Sequence, residues 1–279
     1  MRTSFLALFC LIPAFFGIAG AAEQAQKMWR EPITNMPFVR LEKACFQMGS
    51  AKPVAPPANS EWESIGYQRD LSENERPAHE VCVDAFWIAQ YEVTRDEFAA
   101  LSAKARQPKA DGRFPASGMS WNEAARFARD LGARSGGKYE FRLPTEAEWE
   151  YACQAGTPAP DEIGNDELAR IARYGLGTPE WDHFGPNIGE VGTKEPNAFG
   201  LYDMLGNVWE WTADAYREDA YTRHALYNPV TSESGAQTAR VIRGASFRTE
   251  FQQVRCAKRS RQPPSEGLDT IGFRLVRVR

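Results

Sequence analysis

Apolar and polar positions along this chain alternate in short bursts separated by turn formers, so the pattern predicts many brief elements. FVRLEKACFQMGS, from residue 38, reads as a strand ending in a turn, and residues 51–78 follow as a Pro- and charge-rich surface loop with no period. HEVCVDAFWIAQYEV resumes as strand, with Val81, Val83, Ala85 and Trp87 on one face and Cys82 on the other. Three helix starts then carry capping-box signatures, Thr94/Glu97, Ser120/Glu123 and Thr145/Glu148. The second places Ala124, Phe127, Ala128 and Leu131 at helical spacing and stops at Gly136-Gly137. The acids of these helix starts are read as caps and dipole partners rather than as catalysts.

Residues 154–200 lose periodicity and are rich in Gly, Pro, Asp and Asn. From residue 201 the chain becomes β-like, in VWEWTADAY, ARVIRGASF, QQVRCAKRS and IGFRLVRVR. Helices early and a compact sheet late predict an α+β domain, not an alternating βαβ chain. The stretch GNVWEW at 206–211 sets two tryptophans on one face of a strand directly after a Gly-Asn turn, with an acid between them.

The N-terminus changes the picture of where the protein works. Arg2 precedes the uncharged FLALFCLIPAFFGIAGA and a small-residue end, which reads as a secretory signal over 1–21. A loose lead-in over 22–36 and one domain over 37–279 follow. No second segment is long and apolar enough to span a bilayer. Without the signal, four cysteines remain, Cys45, Cys82, Cys153 and Cys256, an even number that favours disulfides in an exported chain and allows three pairings. Dispersal of His79, His183 and His224 argues against a histidine-built metal centre. The net charge of −4 gives no reason to expect nucleic-acid binding. Late basic residues (Arg255, Lys258, Arg259, Arg261, Arg274, Arg277, Arg279) are read as a solvated face of the C-terminal sheet.

The ordered blocks YEVT, RLPTEAEWEYAC, NAFGLYDMLGNVWEW, RVIRGASF, RCAKRS and GFRLVR, from about residue 37 to the end, resemble the formylglycine-generating enzyme, or sulfatase-modifying-factor, family. The resemblance implies a loop-rich variant of the C-type lectin fold with a small twisted antiparallel sheet and few helices. It implies a Cys153–Cys256 disulfide, which leaves Cys45 to pair with Cys82. It also implies a calcium ion at the turn before VWEW, held by the side chain of Asp203 and the backbone carbonyls of Met204, Gly206 and Val208, an all-oxygen set suited to a hard cation. Asp203 stands where the family often has Asn. A second calcium site of some members is not carried over, because ELARIARYGLG lacks its Asn and Asp ligands.

The family's reaction depends on a cysteine pair binding Cu(I), a soft metal on soft ligands. Here the corresponding segment is GASFRTEFQQVRCAKRS, with no cysteine between Phe247 and Arg255, so the copper chemistry is not expected. What the resemblance leaves is a pocket frame. Ser246 and Trp209 match positions lining the family's reaction site, and Arg248, Thr249 and Glu250 fall near where copper sits. Glu250 is the candidate proton acceptor and Arg248 its neighbour or ion-pair partner. Exported relatives without the cysteine pair include a branch that matures siderophore precursors. On that resemblance the substrate is a small peptide-like molecule in the periplasm, with Ser246, Trp209, Glu250 and Arg248 in the site. The competing reading is a non-catalytic lectin-like module that binds a periplasmic or extracellular protein or glycan through loops 51–78 and 154–198, or that serves as accessory factor to a periplasmic redox enzyme.

Overall fold

Turn residues at short intervals hold the strands to between two and seven residues, and the architecture is built from small sheets tied together by loops. The computed structural model describes residues 28–53, 72–101, 111–156, 163–175, 188–233, 235 and 238–278. The signal segment, His183 and parts of the lead-in, of loop 51–78 and of 154–198 lie outside the described residues. Strands β1 (Met28–Arg30), β2 (Pro37–Leu41), β3 (Ala44–Met48), β4 (His79–Val83) and β5 (Phe86–Ala89) precede the first helix. Then come α1 (Arg95–Ala100), α2 (Trp121–Arg134), β6 (Phe141–Arg142), α3 (Glu146–Gln154) and α4 (Asn165–Ile171). The late strands are β7 (Trp209–Ala215), β8 (Arg240–Arg243), β9 (Arg259–Gln262), β10 (Ile271–Gly272) and β11 (Val276–Arg277). The fold is α+β and loop-rich, as expected.

The three capping boxes form at the predicted starts of α1, α2 and α3, each with its Ser or Thr side chain accepting from the N3 amide and its Glu returning to the cap amide. Among the described residues no helix is long and apolar enough to cross a membrane.

Instead of one late sheet, the strands among the described residues make three. The order β1-β2-β5-β11-β6 forms an antiparallel sheet that brings the first and last described strands together, and β10-β7-β8-β9 forms a second with a parallel β10–β7 pair. A third pairs β3 with β4. The five-stranded sheet is a wall between two cores. One face sends Val39, Leu41, Phe86, Ile88 and Val276 into the core that holds α3, and the other sends Phe38, Ala89 and Phe141 toward α2. Burial on both faces explains why FWIA reads as continuously apolar.

Several local expectations change. The run from His79 is two strands in different sheets, because Asp84 leaves the ladder to exchange hydrogen bonds with Asn228, its amide donating to Oδ1 at 2.9 Å and its Oδ2 accepting from Nδ2 at 2.9 Å. Residues 28–30 of the lead-in are strand, fixed by Trp29 packing on Phe38, Trp87, Tyr139 and Phe141. Within 154–200 the helix α4 forms. The end of loop 51–78 turns inward, and Glu75 is wholly buried. Disulfides Cys45–Cys82 and Cys153–Cys256 are both present.

Candidate functional site

The turn before β7 needs backbone in the left-handed region at Asp203 (φ 54°), Gly206 (φ 78°) and Asn207 (φ 55°). A Cβ on Gly206 would lie 2.1 Å from the carbonyl oxygen of Arg173, so only glycine fits there. Glu92, from the YEVT block, reaches across the fold to clamp this turn. Its Oε1 accepts from the Val208 amide at 3.1 Å and its Oε2 from Asn207 Nδ2 at 2.7 Å. Asn207 Oδ1 accepts from the Gly189 amide at 3.0 Å, and Asp203 Oδ2 from the Gly192 amide at 2.7 Å.

Glu210, between the two tryptophans, faces inward. It takes Arg274 in a bidentate pair at 2.7 Å on both oxygens and accepts from Trp149 Nε1 at 2.8 Å. Three buried carboxylates thus surround one buried guanidinium. Burial, with the charges of Asp203 and Glu210, pushes the Glu92 carboxyl well above the usual range, and burial raises Asp203 as well. The carboxylate oxygens here are donors of the kind calcium takes, and the Arg274 guanidinium already sits among them. Among the described residues, no three His, Cys, Asp or Glu side chains converge as ligands on one metal position, so a cation here depends on the backbone carbonyls of the turn as well.

The loop after β8 carries the other candidates. Ser246 is buried, and its hydroxyl lies 3.3 Å from Thr249 Oγ1 and accepts from the Arg248 amide at 3.2 Å. That hydroxyl shapes the loop; it is not poised as a free nucleophile. Arg248 projects outward, pairs with Asp269 at 2.9 Å and lies over the Phe247 ring. Glu250 is exposed and opens a short 3-10 turn over Phe251–Gln253. Trp209 is half-buried against both cores, and its amide donates to Thr270, the neighbour of Asp269. Trp211 is fully buried, with Nε1 donating to Met119. One tryptophan therefore borders the surface and the other is core.

Cys45, Cys82, Cys153 and Cys256 are all in disulfides, so no described thiolate pair is available to a soft metal.

Beneath this loop lies a buried ionic network that the sequence reading missed. Arg243 and Arg259 face each other across β8 and β9, and the two acids of EAEWEY other than the cap meet them. Glu146 bonds Arg243 Nη1 at 2.7 Å and Arg259 Nε at 2.6 Å, while Glu150 pairs with Arg243 Nη2. Burial alone would raise both carboxyls. Two guanidiniums hold Glu146 below its ordinary value, whereas Glu150, with one, stays above. Arg255 likewise grips the buried Glu75 at 2.7 and 2.9 Å. The expected solvated face is thereby corrected: Arg255, Arg259 and Arg274 are buried ion-pair members. The missed signal was the count of acids on α3, since a cap uses one and the helix has three.

Beside the network, His79 Nε2 and His224 Nδ1 are 3.1 Å apart. Burial moves His224 from 6.5 down to about 4, assisted by the charges of His79, Arg259 and Arg243 and opposed by Glu146. Burial and the neighbouring Glu146 raise Asp214 to about 7.

Residues 24–279 match the family described as sulfatase-modifying factor enzyme 1-like domain. The chain is 33% identical over 175 residues to the formylglycine-generating enzyme of Streptomyces coelicolor, covering 58% of this chain and 52% of that one. It is 29% identical over 241 residues to the serine/threonine-protein kinase pkn1 of Chlamydia pneumoniae, covering 77% and 36%. The chain thus spans between about a third and a half of these relatives' lengths. Among solved structures, PvdO from Pseudomonas aeruginosa is similar with a TM-score of 0.70 and 26% identity over 90% of this chain and 97% of that one. Treponema denticola variable protein 1, at TM-score 0.67 and 22% identity over 90% and 98%, shares the fold.

Replacing Arg243 with Met strands Glu150 in the core, leaves Glu146 to Arg259 alone, and should cost about 3–5 kcal/mol in denaturant unfolding. Arg248→Met breaks the exposed pair with Asp269 and the contact over the Phe247 ring and should cost under about 1 kcal/mol. Equal losses would show that the network is not what holds β8. For His224, the unfolded state binds the extra proton between about 4 and 6.5 while the folded state does not. Stability therefore falls as pH drops through that window, and His224→Gln should flatten the slope. An unchanged slope in the variant counts against His224 as its source.

Proposed function

We infer the function from the family, since the chain belongs to the sulfatase-modifying factor enzyme 1-like proteins. The reading that fits best is an exported maturation enzyme that acts on a peptide-like molecule, of the siderophore-precursor type, without thiolate-bound copper. One observation carries it: the surface around Trp209 and the Arg248–Asp269 pair remains on an ordered frame while every described cysteine is in a disulfide. Two disulfides favour an oxidising compartment, the periplasm or the exterior.

In this reading the half-buried Trp209 offers a ring face to an apolar or aromatic group of the substrate. Arg248 offers a carboxylate partner, and Glu250 accepts a proton or binds an ammonium. Ser246 positions the loop through Thr249 and the Arg248 amide. The engagement of the Ser246 hydroxyl favours one alternative, a binding module that holds the same peptide-like ligand without turnover.

The test is genetic and chemical. A deletion strain is complemented with the unaltered chain, with Trp209→Phe or with Glu250→Gln, and periplasmic peptide-like precursors are profiled by mass spectrometry. A precursor should accumulate in the deletion and persist with either variant. Full restoration by both variants sinks the pocket.

Calcium is the proposed occupant of the turn, held by Asp203, with Glu92 beside it, and by the carbonyls of Met204, Gly206 and Val208. It would supply charge neutralisation for the carboxylates and fix the start of β7. Calcium added to chelator-treated protein should raise the unfolding temperature, with a gain of about 2.7 kcal/mol at a hundredfold excess over Kd. Asp203→Ala and Glu92→Gln should each abolish the rise; an undiminished rise in both removes the ion from this turn.

A further inference from the structure

The two disulfides sit in opposite settings. Cys153 and Cys256 are buried among Trp149, Leu168, Met204 and Leu205 in the larger core. Cys45, in contrast, is exposed, on a strand whose one ladder neighbour among the described residues is β4. Its partner Cys82 lies directly opposite in the register and is buried, with its backbone bridged sideways to Tyr227. Cys45 is therefore the more accessible of the two residues to a nucleophile arriving from solvent.

We propose that Cys45–Cys82 is a thiol–disulfide exchange site for an external dithiol, distinct from the pocket and independent of the maturation reading. One thiolate of the dithiol attacks Sγ of Cys45, forming a mixed disulfide and expelling Cys82 as its thiolate. The second thiolate then attacks the reductant's own sulfur in that mixed disulfide, closing the reductant into a disulfide and releasing the Cys45 thiolate. Two electrons pass from the dithiol to the protein, and the two protons it loses end on Cys45 and Cys82.

The neighbourhood allows this chemistry without unfolding. Strand β3 is fastened to α3 independently of the sulfur bond. Gln154 Nε2 donates to the Gln47 carbonyl at 2.9 Å, the Gly49 amide to Glu150 Oε1 at 2.7 Å, and Tyr151 Oη to the Glu42 carbonyl at 3.1 Å. Met48, at its end, is wholly buried. Strand β4 is held on its far side, where the Cys82 amide donates to Leu226 at 2.7 Å and the Asn228 amide to the Cys82 carbonyl at 2.8 Å. After reduction both strands keep these anchors and their ladder, so the thiols stay opposed and ready to close again. The segment from Leu226 to Val230 pairs along the edge of β4 through the Cys82 backbone and exposes Leu226, Tyr227 and Val230.

The experiment titrates the full native protein with dithiothreitol, blocks free thiols with iodoacetamide and maps the labelled cysteines by peptide mass. Cys45 and Cys82 should be labelled at a dithiothreitol concentration at least about tenfold below that needed for Cys153 and Cys256, with near-ultraviolet dichroism unchanged. Simultaneous labelling of all four, earlier labelling of Cys153 and Cys256, or labelling only as the dichroism collapses overturns the proposal. A second measurement assigns the attacked sulfur. The Cys45 thiol of Cys82→Ser should react with an aromatic disulfide reagent about tenfold faster than the Cys82 thiol of Cys45→Ser. Equal or reversed rates overturn attack at Cys45.

Discussion

Two guanidiniums directly opposite each other on neighbouring strands repel, and β8 and β9 place Arg243 and Arg259 in that position inside the protein. The pair is tolerable because Glu146 lies between them and Glu150 closes on Arg243 from the next turn of α3. Geometry is demanding here, since a buried charge without its partner is far more costly than a mismatched apolar side chain. The network therefore fixes three things at once: the rotation of α3, the register of β8 on β9, and the starting point of the loop at Gly244. Everything proposed for Ser246, Arg248 and Glu250 hangs from Arg243. Glu92 does the equivalent work for the turn before β7, where its two oxygens bind Asn207 and Val208.

These clamps explain which parts were readable in the chain itself. The capping boxes at Thr94, Ser120 and Thr145 are local chemistry, complete within four residues, and all three form where the sequence places them. The disulfide pairing followed from the resemblance and not from spacing. The sheet arrangement was not legible, because β5 and β11 pair across most of the chain's length, Ile88 with Val276, and no local pattern encodes such contacts. Nor was the break at Asp84, which depends on Asn228.

The charged residues misled for a physical reason. An acid on a helix start normally caps, and an arginine in a late strand normally faces water. Glu148 obeys the first rule, yet every residue of α3 is buried, so Glu146 and Glu150 had to find cations, and Arg243 and Arg259 had to turn inward to supply them. Burial of the whole helix was the hidden premise. A charge between two tryptophans, as Glu210 is, carried the same message in shorter form, because a strand face that packs tryptophan leaves its other face to Arg274.

Separation of frame from reaction follows from this arrangement. The clamps at Arg243, Arg274 and Glu92 draw carboxylate or amide partners from α3, β7 and the turn before β7, and none of them uses a side chain of 245–250. The side chains of this loop can therefore change without removing a member of these clamps, which is the condition under which an architecture persists while its chemistry varies. The same logic applies to the cysteines that remain. Cys153–Cys256 links α3 to the segment between β8 and β9 and so belongs to the frame. Cys45–Cys82 joins two strands already anchored by α3 and by the 226–228 segment, and its sulfur bond is the one covalent link the frame does not require.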